Sequence, residues 1–317
     1  ATGIAEPMPV AASFSFRDAQ GRSLSDVATI DTMVTVVDAA GFLRDFDSQE
    51  GLQERKLAAN EDDDRTIVDL LTDQVEFANV IVVNKCDLVS EHDSLRLQAI
   101  LHHLNPEARI VRSVHGRVDL SEILATGLYD EEKASQSAGW LKEMEGQHTP
   151  ETEEYGISSF VYRRRVPFHP ARLVQLVDRG LEGVMRSKGF LWIASRPQFS
   201  GLWSQAGASL TIERAGYWYA ALDRDEWPDD PETLDWVEHN WDPQVGDCRQ
   251  ELVFIGVCMH RAEIETRLDE ALLTEHEMAL GVDAWKCFED PLPRWEPIED
   301  DDIDEDTEEA RSEARSK

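Results

Sequence analysis

The residues VIVVNKCDLVS, at positions 80–90, place four consecutive β-branched apolar residues directly before a polar turn. Such a run predicts a strand that is buried on both faces, as the strands of parallel sheets are. In open α/β sheets, ligands bind beyond the carboxyl ends of the strands. The polar residues Asn84, Lys85 and Asp87 therefore lie where a binding site is expected.

The spacing of these polar residues suits recognition of a guanine base. The Asn84 amide offers a donor and an acceptor, and the Asp87 carboxylate can accept both N–H groups of a guanine edge. Adenine lacks that donor pair, so a site built in this way discriminates against it. Lys85 can lay its aliphatic stem along the base or the ribose. A chance turn after a strand is the alternative, and it stays open.

The segments around this strand predict a doubly wound parallel sheet. MVTVVDA at 33–39 and ARIVRS at 108–113 read as two further strands. DRTIVDLLTDQVEFA at 64–78 has apolar residues at helical spacing behind Asp64 as an expected cap, and a second helix is expected to begin after Ser90. The alternation of strand and helix is typical of an α/β domain.

The second half of the chain has a different pattern. We predict a smaller α+β domain with a mainly antiparallel sheet, because strands outnumber helices and follow one another directly. Its predicted strands lie at 158–168, 188–195, 209–220 and 251–259, and its helices at 169–184 and 261–273. The predicted divisions are a first domain at 1–127, a connector at 128–155, a second domain at 156–295 and an acidic disordered tail at 296–317.

Composition narrows the classes of function. The chain has 64 acidic against 31 basic residues and a net charge of −33, which opposes binding to nucleic acids or anionic lipid. No apolar run reaches membrane-spanning length. The four cysteines form no CxxC pair, which suits a reducing compartment, and no leader pattern opens the chain. We therefore expect a cytoplasmic protein.

Several stretches together resemble the CobW-type GTPases, a family grouped with the urease and hydrogenase accessory GTPases. The stretches are TGIAEPMPV at 2–10, the segment 64–87 that ends in NKCD, GDCRQELVFIGVCM at 246–259, and the Asp290-Pro291 pair with Trp295. The resemblance implies a P-loop-type GTPase domain followed by a CobW C-terminal domain. It also implies GTP hydrolysis coupled to delivery of zinc or cobalt to a client metalloprotein.

The sequence departs from the family pattern at its start. No segment matches GxxxxGK followed by Ser or Thr. In the family, a P-loop and a cysteine-rich metal motif precede an E-x-x-G pattern, and Ala1-Thr2-Gly3 resembles the end of that pattern. The resemblance implies that these parts lie upstream. We expect the chain as given not to hydrolyse GTP by itself.

The resemblance assigns a role to each matching residue. Asn84 and Asp87 match the guanine-specificity positions, with Lys85 as the stacking residue. Gly3 matches the glycine whose N–H approaches the γ-phosphate. Ser113, with the adjoining residues 115–116, lies where such GTPases complete the base pocket, or it caps a loop.

Metal ligation finds little support in the sequence. Asp38 can face Mg²⁺ through water or, as the favoured alternative, cap the next turn. His102 and His103 are adjacent on a predicted helix and point to different faces, so they cannot chelate one ion. Cys258 and His260 share a strand face but form a weak candidate. We assign no metal ligand and no catalytic residue.

Two functions stay open. The first is a GTPase that uses GTP or GDP with Mg²⁺ and transports Zn²⁺ or Co²⁺ to a client. The second is a non-catalytic module that keeps only guanine recognition and client docking. The expected partners are a guanine nucleotide, a metalloprotein client and, as one option, a second copy of the chain.

Overall fold

The computed structural model describes residues 7–14, 16–17, 20–46, 66–130 and 154–295. Gly3, the acidic tail and most of the predicted connector lie outside these residues. The predicted domain divisions remain predictions.

A parallel sheet of three strands forms the first domain, as the sequence predicts. The strands β1 (Val34–Asp38), β2 (Val80–Asn84) and β3 (Arg109–Arg112) lie in the order β1-β2-β3. The central strand β2 is buried along its apolar residues, because it has a neighbour on each side and helices pack against it. The described helices of this domain are α1 (Pro7–Ala12), α2 (Phe42–Phe46), α3 (Ile67–Glu76) and α4 (Glu91–Leu104).

The two long helices begin at side-chain caps. Ser90 Oγ accepts a hydrogen bond of 3.1 Å from the Asp93 amide at the start of α4, as expected. The cap of α3 is Thr66 rather than the predicted Asp64. Thr66 Oγ1 accepts from the Asp69 amide, and the Asp69 carboxylate accepts from the Thr66 amide. A reciprocal capping box satisfies two helix-end donors and pairs the cap with the residue three positions later. Asp69 has this spacing from Thr66 and not from Asp64.

The second domain is a five-stranded antiparallel sheet in the order β4-β8-β5-β6-β7. Its strands are β4 (Ile157–Arg164), β5 (Val184–Trp192), β6 (Phe199–Ala206), β7 (Ser209–Tyr217) and β8 (Gln250–Val257). Its helices are α5 (Pro170–Arg179), α6 (Pro231–His239), α7 (Arg261–Ala271), α8 (Glu275–Ala279) and α9 (Val282–Trp285). The predicted α+β class is confirmed.

Strand β6 was not predicted. Its sequence FSGLWSQA carries Ser and Gly at several positions, which weakens the strand pattern in the sequence. The strand forms because it pairs on both sides, with β5 and with β7. Gly207 follows it with φ of 52°, and a Cβ there would lie 2.6 Å from the Phe46 carbonyl oxygen. The β6–β7 turn thus requires glycine where it meets the first domain.

A buried ion pair joins the two domains. Arg186 of β5 donates from Nε to Glu76 Oε1 of α3 at 2.6 Å and from Nη2 to Oε2 at 3.1 Å, and the side chains are 3% and 2% exposed. Arg186 Nη1 also donates to Ser204 Oγ and to the Gln205 carbonyl. The guanidinium is therefore fixed from both sides of the domain contact.

Two more charged groups lie near this ion pair. Burial raises the pKa of Asp73, with a further contribution from the nearby Glu76, and burial lowers the pKa of Lys188. Residues of both domains also share one apolar cluster, in which Ile157 and Ala206 pack with Phe46 and Val68. The domain contact therefore combines apolar packing with buried charge.

Candidate functional site

The carboxyl ends of the parallel strands bring the predicted polar residues together. Asp38 of β1 lies opposite Asn84 of β2, and Val83 lies opposite Arg112 of β3. The residues that follow each strand therefore share one edge of the sheet. This edge is where an open α/β sheet binds ligands.

Asn84 is held by the loop after β3. Its Oδ1 accepts a hydrogen bond of 2.9 Å from the Gly116 amide. His115 and Gly116 have positive φ angles of 54° and 67°, and this left-handed turn directs the amide towards Asn84. Because Oδ1 is engaged, the amide nitrogen of Asn84 is left as a donor without a partner in the described part of the chain. The side chain is thus orientated before any ligand arrives.

Lys85 has a left-handed backbone, with φ of 62°, between the strand and the following turn. This conformation is uncommon for a residue with a side chain, and it turns the chain sharply at the end of β2. The Nζ atom donates to Asp38 Oδ2 at 2.7 Å, although the Lys85 side chain is half-exposed. The ammonium group is therefore tied to β1, while the stem stays accessible at the edge of the site.

Asp38 uses both carboxylate oxygens within this edge. Its Oδ1 accepts from the Ala40 amide at 2.9 Å, which is the turn-capping bond that the sequence favours. Burial opposes ionisation, but the hydrogen bonds from Lys85 and Ala40 hold the pKa of Asp38 below its usual value. The carboxylate is therefore ionised at neutral pH and already has partners.

Asp87 differs from Asp38 in its surroundings. It lies in a short 3₁₀ turn, Cys86–Leu88, and its side chain is exposed. Among the described residues, none donates a hydrogen bond to its carboxylate. The two oxygens are therefore free to accept the paired N–H groups of a guanine edge.

Ser113 forms hydrogen bonds with the turns that follow β2 and β3. It is 4% exposed, its amide donates to the Val83 carbonyl at 2.8 Å, and its carbonyl accepts from the Cys86 amide at 3.2 Å. Its hydroxyl donates to the Arg117 carbonyl at 3.1 Å. These bonds connect the turn after β2 to the turn after β3, and a direct contact with the base remains a prediction. Gly3 lies outside the described residues.

The sequence did not predict one ion pair that lies beside this loop. Arg112 donates to both oxygens of Glu91, at 2.7 and 2.6 Å, and so joins the end of β3 to the start of α4. The hydrogen bonds from Arg112 lower the pKa of Glu91, and the same contact raises the pKa of Arg112. No sequence signal connects two residues on separate elements. Only the pairing of β2 with β3 brings them together.

The histidine and cysteine candidates all lie among the described residues. No group of three or more His, Cys, Asp or Glu residues that could hold an ion occurs among the described residues. His103 Nδ1 lies 2.8 Å from the Ala99 carbonyl oxygen, within its own helix. Cys258 is an exposed free thiol with φ of 54°, and His260 is the residue before α7. All four cysteines are free.

Comparison with protein families agrees with this arrangement. Residues 1–112 match the CobW/HypB/UreG nucleotide-binding domain, and residues 157–272 match the cobalamin synthesis protein CobW C-terminal domain. The chain belongs to the CobW/HypB/UreG family. The residues at the carboxyl edge therefore lie within the nucleotide-binding domain of the family, up to and including Arg112.

The names of three relatives of this CobW-family chain refer to zinc. The chain is 47% identical over 94% of its length to the zinc-regulated GTPase metalloprotein activator 1 of Dictyostelium discoideum, covering 64% of that protein. It is 30% identical over 74% of its length to a zinc chaperone of Mycobacterium tuberculosis, covering 56% of it. It is 27% identical over 62% of its length to the zinc chaperone CobW of Sinorhizobium, covering 55% of it. The chain thus spans between about half and two thirds of these relatives.

Within the described residues, no helix is both long and apolar enough to cross a membrane.

Proposed function

We propose that this chain recognises the guanine base of GTP and GDP, in a protein that couples GTP hydrolysis to the delivery of zinc to a client metalloprotein. The proposal rests on the difference between Asn84 and Asp87 at the edge of the sheet where the parallel strands end. Asn84 is orientated by the Gly116 amide, whereas the Asp87 carboxylate is exposed and accepts no hydrogen bond from any residue that the structure describes. A preorganised amide beside an unused carboxylate is the arrangement that a guanine edge requires.

The described residues fit the base and not the metal of a Mg²⁺–nucleotide complex. Asp38, the one strand-end acid considered for Mg²⁺, has its oxygens engaged by Lys85 and by the Ala40 amide. On binding, the Lys85 stem would cover one face of the base or ribose, while the ammonium group stays beside Asp38.

The transported metal is inferred from the relatives. The names of the three relatives refer to zinc, so zinc is the proposed cargo, and cobalt remains a prediction. A metalloprotein client follows from the name of the Dictyostelium relative. A cytoplasmic location and a homo-oligomeric state also remain predictions.

The proposal is tested by following zinc release from the full-length protein to a chromogenic zinc chelator. We expect GTP to change the release rate and ATP to leave it unchanged. Asp87→Asn should remove the response to GTP, because the carboxylate that reads the base is lost. Asp283→Asn is the matched control, since it removes the same charge from an exposed residue of the second domain.

Three outcomes separate the alternatives. Equal responses to GTP and ATP would contradict guanine recognition. A response to GTP that persists in Asp87→Asn would contradict the role of this residue. A response to a non-hydrolysable GTP analogue equal to that of GTP would favour the binding module over the coupled GTPase.

A further inference from the structure

The segment between β7 and β8, residues 218–249, combines aromatic and acidic residues. It contains four of the nine tryptophans of the chain, and it has ten acidic residues against two arginines. It includes α6 and belongs to the second domain, whereas the residues proposed for the guanine site belong to the first. Neither the sheet nor the proposed nucleotide site explains this composition.

Two tryptophans of this segment are exposed. Trp236 is 44% exposed and Trp241 is 42% exposed, whereas Trp218 is buried. The Asn240 amide donates to the Trp236 carbonyl at the end of α6, so Trp236 begins the last turn of the chain here and Trp241 directly follows that turn. We call the surface formed by Trp227, Trp236 and Trp241 the tryptophan face. Exposed aromatic clusters of this kind mark interaction sites.

Buried groups fix the position of Trp236. The Arg249 guanidinium lies 4.9 Å from the Trp236 ring centroid and is itself 4% exposed. Arg249 Nε donates to Glu251 Oε2 at 2.6 Å, and Nη1 donates to the Asp247 carbonyl at 3.0 Å. Because the supporting cation is locked, the exposed ring loses little freedom when a partner binds.

Contacts with Trp227 and Gly246 fix the position of Trp241. Its ring packs against Trp227 at 5.4 Å between centroids, and the Arg224 guanidinium lies 3.9 Å from the Trp227 ring centroid. Gly246 has φ of 66°, and a Cβ there would lie 3.1 Å from the Trp241 ring. The tryptophan face is therefore preorganised, although much of it is open to water.

Acidic residues lie close to Trp227 and Trp236 in the sequence. Asp225, Asp229 and Asp235 are exposed, and within the described residues none of them has an ion-pair partner. Of the two arginines of this segment, Arg249 is buried and paired with Glu251, whereas Arg224 is exposed and paired with Glu238. The outward charge of this surface is therefore negative.

We infer that the tryptophan face docks a lysine- and arginine-rich segment of a partner protein. Cationic side chains can lie over the exposed indole rings, and the exposed aspartates add electrostatic attraction. The charge of −33 disfavours a second copy of this chain and a nucleic acid as the occupant. The partner surface is therefore positively charged, a property that the zinc-delivery proposal does not specify.

The test measures binding of a fluorescein-labelled peptide, rich in Lys and Arg, to the full-length protein by fluorescence anisotropy. A Glu-rich peptide of equal length serves as the probe of opposite charge. We expect only the basic peptide to bind, with affinity that falls as salt rises. Trp236→Ala should weaken binding about 10- to 30-fold, the scale of an aromatic interface residue.

A charge variant tests the surface without changing an aromatic ring. Asp225→Asn/Asp235→Asn should weaken binding and flatten its salt dependence. The matched control is Glu263→Gln/Glu270→Gln, which removes two exposed acids of α7 in the same domain. Near-ultraviolet circular dichroism establishes that each variant keeps its fold.

The inference is overturned by any of three results. These are equal binding of the two peptides, equal loss of affinity in the two charge variants, and self-association of the protein that accounts for the signal. No nucleotide or metal is present in this assay. Its failure would therefore leave the proposed guanine recognition standing.

Discussion

Glu76 precedes strand β2 in the chain and Asp87 follows it, and the two carboxylates have opposite surroundings. Glu76 is 2% exposed and receives two hydrogen bonds from Arg186 across the domain contact. Asp87 is exposed, and no described residue donates to it. A buried acid depends on its partner, whereas an exposed acid without a partner keeps its hydrogen-bonding capacity for a ligand. Removing the partner of Glu76 should therefore cost stability, and changing Asp87 should cost recognition.

Arg186→Met gives the largest expected effect. It leaves Glu76 buried without its cation, so the free energy of unfolding should fall by about 3–5 kcal/mol. Urea denaturation of the full-length protein measures the change. Arg261→Met is the control, because it breaks the exposed pair with Glu265 and should cost about 0.5 kcal/mol.

A double variant separates the buried charge from the packing. Glu76→Gln/Arg186→Met should recover part of the loss, since no unpaired charge remains. If Arg186→Met costs no more than Arg261→Met, Glu76 does not depend on Arg186 as a buried acid depends on its partner, and this half of the comparison is contradicted.

Asn84→Ala should mainly affect recognition. It removes the acceptor for the Gly116 amide and the amide expected at the base, so affinity for GDP should fall about 10-fold, with a stability change near 1 kcal/mol. Isothermal titration calorimetry measures the affinity. Asn240→Ala, which removes an exposed amide from the second domain, should leave it unchanged. A loss of stability without a loss of affinity would make Asn84 a structural residue only.

A third, smaller effect concerns a paired acid that is partly exposed. Hydrogen bonds from Arg172, at 2.6 and 3.0 Å, lower the pKa of Glu277 to about 2. A folded-state pKa below the unfolded value contributes stability above about pH 4.3 that is lost as pH falls towards the folded-state value. After allowance for solvent screening this amounts to about 1 kcal/mol.

Glu277→Gln should therefore flatten the dependence of unfolding free energy on pH below about pH 5, as measured by urea denaturation. The matched control, Glu275→Gln, changes an exposed acid of the same helix and should keep the slope. An unchanged slope in Glu277→Gln would show that the Arg172 contact is absent in solution.

Local sequence was enough for the strands other than β6 and for the residues at the ends of β1 and β2. The four apolar residues before Asn84, the Ser90 cap and the acid that ends β1 act over a few positions, so their pattern is visible in the sequence. Strand β6 was missed because pairing with two neighbours outweighs its weak propensity. The α3 cap was misplaced because the choice between Asp64 and Thr66 depends on backbone geometry.

The contacts that orientate the site could not be read from the sequence. The Gly116 amide reaches Asn84, and Arg112 reaches Glu91, only because β2 and β3 pair in one register. The ion pair between Glu76 and Arg186 depends in the same way on how the two domains meet. Such contacts join distant parts of the chain through tertiary packing, and no local pattern records them.

The most direct test of guanine recognition compares GDP with xanthosine diphosphate on the full-length protein and on Asp87→Asn. Xanthine carries an oxygen where guanine carries its exocyclic amine, so an asparagine can donate where the aspartate accepts. We expect Asp87→Asn to lose about 10- to 100-fold in affinity for GDP and to gain affinity for xanthosine diphosphate, by isothermal titration calorimetry. Asp283→Asn should keep the original preference. An Asp87→Asn protein that still prefers GDP to the same degree would contradict recognition of guanine by this loop.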